Sequence, residues 1–250
     1  MHMPAAIRHE PPACIDAGPG ADAVVPPLCC APDAHEELAD RQAQPLLEVR
    51  ALTVGDGWPS WEVDLALHPG EGVCICGAGV RTRTRLLRAI CGLERPARGE
   101  VQWKGVSLRS SARLMHAELA YLGLHGGLKP TLTPRENLRF HIRVRAGCAR
   151  IDLAAALAMV GLEDVIDTPC WRLGAIQNRL VDFARLLTTR ATIWVLEEPL
   201  HALDATHAAI VARLIADHLH GRGVAIIASD RPIHAAGLRV RRLPPETGPA

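Results

Sequence analysis

The sequence predicts an α/β fold with a parallel sheet at its core, and three short apolar runs carry that expectation. Gly72-Val73-Cys74-Ile75-Cys76-Gly77, Ile193-Trp194-Val195-Leu196 and Val224-Ala225-Ile226-Ile227-Ala228 have the length and unbroken apolarity of strands buried on both faces. Helical patterns lie between them. Apolar residues recur at helical spacing through Arg85, Leu86, Leu87, Ala89 and Ile90, over Leu153–Val160, over Arg179–Leu187 and over Ala208–Leu219. Strands alternating with helices imply crossover units and hence a parallel sheet. The first run also passes through a glycine-containing loop straight into a helix, the order in which phosphate-binding loops are built.

The remaining segments follow in chain order. Residues 1–45 read as a tail: eight of the 19 prolines fall there, periodicity is absent, and seven acidic residues face only Arg8 and Arg41. Such a stretch buries too little apolar surface to offset the entropy of ordering it. Leu47, Val49, Leu52 and Val54 suggest a first strand, and Trp61, Val63, Leu65 and Leu67 alternate as a second. Pro69-Gly70-Glu71 turns the chain into the first buried run, and the helix after the glycine loop ends near Gly92. Residues 106–190 are mostly helical by pattern. One domain is expected over 46–243, with a helical part at about 106–190 and a short tail at 244–250.

Composition narrows the functional classes. With 250 residues, 48% hydrophobic and 22% charged, the chain can bury a core without disulfides or metals. A formal net charge of +1 gives no whole-molecule field for nucleic acid. The eight cysteines are scattered; Cys74 and Cys76 alternate within an apolar run and read as packing rather than as metal ligands. His218 and His220, on a predicted helix, read as surface residues. The first residues lack a basic segment followed by an apolar one. No uncharged apolar run approaches the ~18 residues of a membrane span. The expected location is the cytosolic side, with any membrane contact made through a partner.

The basic residues hold the sharpest exclusion. Of 28 Lys+Arg, only Lys104 and Lys129 are lysines, so an intact Gly-Lys-Thr phosphate loop is ruled out. Such loops surround phosphates with backbone N–H groups, reach the outer phosphates with a lysine, and hold Mg²⁺ with a hydroxyl. Here the segment is Gly77-Ala78-Gly79-Val80-Arg81-Thr82-Arg83-Thr84. Further on, Leu196-Glu197-Glu198-Pro199-Leu200-His201-Ala202-Leu203-Asp204 places two acids at the end of an apolar strand, one suited to Mg²⁺ and one to polarising an attacking water. Leu173-Gly174-Ala175-Ile176-Gln177 stands about twenty residues upstream.

These segments, with Cys91-Gly92-Leu93 and Glu94-Arg95-Pro96-Ala97-Arg98-Gly99-Glu100, resemble the nucleotide-binding subunit of ABC transporters, a P-loop NTPase fold. Tyr121-Leu122-Gly123, Gly127-Leu128-Lys129, Leu132-Thr133, Glu136-Asn137-Leu138-Arg139-Phe140, Met159-Val160-Gly161-Leu162 and Ala184-Arg185-Leu186 are similar to the haem-exporter type of cytochrome c maturation. The resemblance covers about 46–243. It implies ATP and Mg²⁺ as cofactors, a homodimer of ATP-binding subunits, a CcmB-like integral membrane partner, and a peripheral position on the cytoplasmic face of the inner membrane. It makes Thr84 and Glu197 the Mg²⁺ ligands, Glu198 the catalytic base, residues 173–177 the signature, Asp204 the D-loop acid and Asp230 the switch position.

The departures from the family fall on these working residues. Arg83 stands for the lysine with a bulkier planar fork. Val80 and Thr82 stand for glycines, and a β-branched residue is costly wherever the loop needs positive φ or close backbone approach to phosphate. Glu197 replaces an aspartate. Leu124 or His125 occupies the place of the Q-loop glutamine. Gly174 and Ile176 replace the signature serine and second glycine, and Asp230 replaces a histidine, setting a carboxylate where a donor to phosphate belongs. Trp58 is the candidate for stacking on adenine. Losing one donor to developing charge costs ~10²–10³ in rate, so weak or lost hydrolysis is expected. Two readings follow: a working ABC-type ATPase, or a pseudo-ATPase that holds its partners without turnover. An unrelated P-loop kinase or GTPase explains neither the signature-like segment nor the D-loop.

Overall fold

A computed structural model describes residues 44–54, 62–145 and 151–244. Trp58 and the tail up to residue 43 lie outside these. The chain runs β1 (Leu47–Thr53), β2 (Glu62–Leu67), β3 (Gly72–Gly77), α1 (Val80–Ile90), β4 (Arg98–Trp103), β5 (Val106–Ser107), α2 (Leu108–Glu118) and β6 (Leu119–Leu122). It continues through α3 (Pro134–Val144), α4 (Leu153–Ala158), α5 (Ala175–Leu187), β7 (Ile193–Glu197), α6 (Ala205–His220), β8 (Val224–Ala228) and β9 (Leu238–Leu243).

The strands form two sheets. The apolar runs β3, β7 and β8 are buried along nearly their whole length and sit inside a five-stranded parallel sheet of order β6-β7-β8-β3-β9. The alternating strands β1 and β2 pair antiparallel in a four-stranded sheet of order β2-β1-β4-β5. Leu47 and Val49 are buried on one face by the period-2 pattern, and an irregularity between Val49 and Leu52, with Ala51 at φ 47°, returns Leu52 to that face.

Period 2 also splits the core. Val73 and Ile75 of β3 pack with Leu86, Leu87, Ala89 and Ile90 of α1 and with the antiparallel sheet. Cys74 and Cys76 face the other way, toward Leu180, Val181, Phe183 and Ala184 of α5 and Val211, Leu214 and Ile215 of α6. Each fully buried leucine, isoleucine or phenylalanine contributes about 1.5–3 kcal/mol, so α1 and α5 are anchored on opposite faces of the strand that ends in the glycine loop. Cys74 and Cys76 bring their Sγ atoms to 3.6 Å within this core, and burial pushes the Cys74 thiol up to about 12. That is the environment of packing residues.

Helix starts are set by side-chain caps. Thr133 accepts from the Glu136 N–H while Glu136 reaches back to the Thr133 N–H, a reciprocal cap for α3. Asp204 accepts from the His207 N–H and caps α6.

Four of the described strands have no counterpart in the sequence pattern: β4, β5, β6 and β9. β6 lies within 106–190, so that stretch is not helical throughout; four residues are too few to show a period. β9 reads Leu-Arg-Val-Arg-Arg-Leu and occupies a sheet edge, where Arg239 donates to the Ala66 carbonyl at 3.1 Å and Arg241 to the Asp64 carbonyl of β2. These guanidinium groups stitch one sheet to the other, a use of charge that hydropathy cannot reveal. The reading of His218 as a surface residue is overturned. Its ring is buried, stacked on Trp194 at 4.1 Å between centroids, and bonded through Nε2 to the Val224 carbonyl at 3.1 Å. His220 is exposed.

Candidate nucleotide site

The glycine loop connects β3 to α1 at the C-terminal end of the parallel sheet, the crevice where α/β folds bind ligands. Gly77 has φ +78°, and a Cβ there would lie 2.1 Å from the Leu243 carbonyl oxygen. The loop is thereby pressed against β9 and tolerates no side chain at this point. Ala78 also has positive φ, at 47°. Gly79 is the N-cap of α1 and makes no side-chain cap, and the first turn carries no acid, an arrangement suited to an anion.

The positive φ that would make Val80 and Thr82 costly does not fall on them. Positive φ falls on Gly77 and Ala78, whereas Val80, Arg81 and Thr82 are already in the first turn of α1, where β-branched residues fit.

Arg83 lies one turn into α1 with its side chain only 2% exposed. Nη1 donates to the carbonyls of Gly77 at 2.9 Å and Ala78 at 2.8 Å; Nη2 donates to Glu198 Oε1 at 2.6 Å. Asp230 Oδ1 lies 3.8 Å from the same nitrogen, on a side chain that is 80% exposed. The guanidinium is thus turned onto the loop and the end of β7. Glu198 Oε2 accepts from the Asp230 N–H at 3.1 Å and the Ser229 hydroxyl at 3.4 Å, so both of its oxygens are engaged. The Glu198 backbone has φ 42° and donates its N–H to the Ala228 carbonyl at 2.8 Å, fixing the turn after β7.

Glu197 is buried at the last position of β7. It accepts a hydrogen bond from the Thr84 hydroxyl, and others from Tyr121 OH and the Leu124 N–H, each at 3.3 Å. Burial and then the neighbouring Glu197 charge push the Tyr121 hydroxyl above its ordinary pKa. The Thr84 hydroxyl and Glu197 carboxylate are adjacent hard oxygen donors, the kind Mg²⁺ takes, and a glycine loop leading into a helix start without an acid in its first turn suits phosphate. The residues present therefore fit ATP with Mg²⁺, with Arg83 engaged elsewhere.

Arg179 is the site residue that sequence reading missed. Buried on α5, it donates to the carbonyls of Gly123 (3.0 Å), Glu197 (2.9 Å), Glu198 (2.8 Å) and Pro199 (3.3 Å), with Leu124 at 3.5 Å. Burial lowers its pKa. One guanidinium thus binds the signature helix to both acids and to the loop after β6. In the sequence Arg179 stood only as the first residue of the helical pattern Arg179–Leu187, and nothing in that spacing marked its charge as turned inward.

The remaining candidates are spread around this centre. Leu173 is buried, and Ile176 packs its side chain against the core. Gly174 is the N-cap of α5; its N–H donates to Gln177 Oε1 at 3.1 Å, while Ala175 is exposed. Asp204 is committed to capping α6 and to His207 Nδ1 at 2.7 Å. His125 is exposed and Leu124 half-buried beside Glu197. The structure therefore brings together Gly77, Ala78, Arg83, Thr84, Glu197, Glu198 and Asp230, and sets the signature and Asp204 apart at helix starts.

Comparison with known proteins bears on this geometry. The ABC transporter family model matches residues 61–201. The cytochrome c biogenesis ATP-binding export protein CcmA of Methylococcus capsulatus is 38% identical over 178 residues, covering 70% of this chain and 85% of that protein. The protein of the same description from Bordetella bronchiseptica is 37% identical over 196 residues, 78% of this chain and 87% of its own. Among solved structures, an ATP-binding cassette of an ABC transporter in its ADP conformation aligns with a TM-score of 0.63 at 17% identity, over 76% of this chain and 82% of that one. A part of the ABC transporter complex cbiONQ from Clostridium perfringens aligns with a TM-score of 0.61 at 17% identity, over 75% and 79%. No helix among the described residues is long and apolar enough to cross a membrane. With its phosphate-loop geometry, paired acids after β7 and these relatives, the chain belongs to the ABC transporter family of ATP-binding subunits and is related within it to the CcmA export proteins.

Proposed function

We propose that this chain is the ATP-binding subunit of a cytochrome c maturation exporter, binding ATP with Mg²⁺ and coupling it to a CcmB-like membrane subunit. The observation that carries this reading is the similarity to CcmA proteins over 70–78% of the chain, at 37–38% identity. Thr84 and Glu197 would hold Mg²⁺, which when bound would offset phosphate charge. The loop at 77–82 and the start of α1 would receive the phosphates. Glu198 would polarise the attacking water, and two copies would pair so that residues 173–177 of one face the nucleotide of the other. The subunit would then sit peripherally on the cytoplasmic face of the inner membrane.

A second reading is favoured by one contact. With Glu198 bonded to Arg83 at 2.6 Å, the base is neutralised and the cation is withdrawn from phosphate. A chain in this state holds its partners together while turning over ATP slowly or not at all. Both readings require a membrane partner. An affinity-tagged full chain expressed with a CcmB-like protein should retain that protein through detergent extraction, and should bind ATP in calorimetry. A chain that binds neither contradicts both readings.

A further inference from the structure

We propose that Glu198 acts as an internal anion holding Arg83 in place of a nucleotide phosphate, so that nucleotide binds by displacing a carboxylate. This rests on the reading of the site as nucleotide-binding and supplies its regulation: Glu198 is released for chemistry only when phosphate takes its partner.

The geometry supports an exchange. A guanidinium presents paired N–H donors that match two oxygens of a carboxylate or of a phosphate equally well, which an ammonium does not. Arg83 uses Nη1 on the loop carbonyls of Gly77 and Ala78 and Nη2 on Glu198. The first pair anchors the fork to the loop, and the second closes it across the crevice from α1 to the turn after β7. Because Arg83 is nearly inaccessible, its charge is compensated inside the protein, and a buried ion pair resists the loss of one partner. Glu198 differs: its side chain is 16% exposed and keeps a second set of donors, the Asp230 N–H and the Ser229 hydroxyl. The carboxylate can leave Arg83 and remain hydrogen-bonded, while Arg83 stays held to the loop by its two bonds to the Gly77 and Ala78 carbonyls.

Charge at the crevice also makes displacement the route of entry. Arg83 faces two carboxylates, Glu198 and Asp230, and Glu197 lies behind Thr84. Arg85, the next basic residue on the helix, is paired to Glu94 at 2.6 Å. An incoming phosphate therefore competes with anions already present. The device depends on arginine: a lysine offers one compact charge and no fork to span loop and carboxylate together.

The test is a double-mutant cycle on ADP affinity, measured by calorimetry on the full chain in EDTA, so that neither hydrolysis nor Mg²⁺ contributes. The four proteins are the parent, Glu198→Gln, Arg83→Gln and the double variant, each checked for a cooperative thermal transition. Glu163→Gln removes the same charge at an exposed position and should leave affinity unchanged. Displacement predicts that Glu198→Gln tightens ADP binding by about tenfold or more when Arg83 is present, and by less than about threefold when it is Gln. Equal tightening in both backgrounds would mean plain charge repulsion by Glu198 and would overturn the proposal, as would unchanged or weaker binding in Glu198→Gln. If none of the four proteins bound ADP, the nucleotide reading itself would fall; binding by the parent without coupling sinks the displacement alone.

Discussion

At the scale of single residues, environment decides what a side chain does. Arg83 and Arg179 are both arginines on helices, and both are buried with their charge turned onto backbone carbonyls. His141 on α3 offers a direct check on such burial. Burial first, then the positive charges of Arg185 and Arg145, lower its pKa to about 4 from an ordinary 6.5. Between those values the unfolded chain binds a proton that the folded chain refuses, so stability is intact above pH 6.5 and is lost as pH falls toward 4. In thermal unfolding, the parent should lose more stability between pH 7.5 and pH 5 than a His141→Gln chain. Parallel losses in the two would show that His141 titrates normally. The surroundings of His141 were not legible in the sequence, because one arginine, Arg145, stands at the C-cap just past the end of α3 and the other, Arg185, comes from α5.

At the scale of elements, α5 is the piece that ties the site together. Arg179 links it to the ends of β6 and β7, and removing that guanidinium takes a charged donor from the carbonyls of Gly123, Glu197, Glu198 and Pro199, of which Gly123 and Glu198 keep the backbone N–H of Gly126 and His201; a hydrogen bond from a charged group contributes about 1.5–3 kcal/mol. Arg179→Leu should therefore destabilise the chain by about 3–5 kcal/mol in urea unfolding, and Arg179→Lys by about half as much, since three ammonium donors cannot serve so many acceptors. A loss below about 1 kcal/mol in both would contradict the clamp. Elements differ in how far the sequence discloses them. β3, β7 and β8 were legible because burial on both faces demands continuous apolar residues, and β1 and β2 because one-sided burial demands alternation. β9 was not, because its arginines work at an edge; nor was β6, whose four residues carry no period. The helix at Arg179–Leu187 was legible by its apolar spacing, yet the same spacing hides a charge that points inward.

At the scale of the whole molecule, the ends of β3, β7 and β8 and the start of α1 bring Arg83, Thr84, Glu197, Glu198 and Asp230 to one crevice, while the signature and Asp204 stay at helix starts outside it. Thr84, Glu197 and Glu198 were legible from their spacing after apolar strands. That Arg83 would bond to Glu198, 115 residues away, was not, since only the fold brings these two together. Val80 and Thr82 lie in the helix and carry no positive φ, and Arg83 and Asp230 are the substitutions that contact Glu198. The most direct measurement is therefore the steady-state Mg-ATPase rate of the full chain beside an Arg83→Lys, Asp230→His variant. The account predicts that the parent is at least about 100-fold slower, and that adding Glu198→Gln abolishes the activity of the variant. A parent rate equal to that of the variant, and lost on Glu198→Gln, would contradict it.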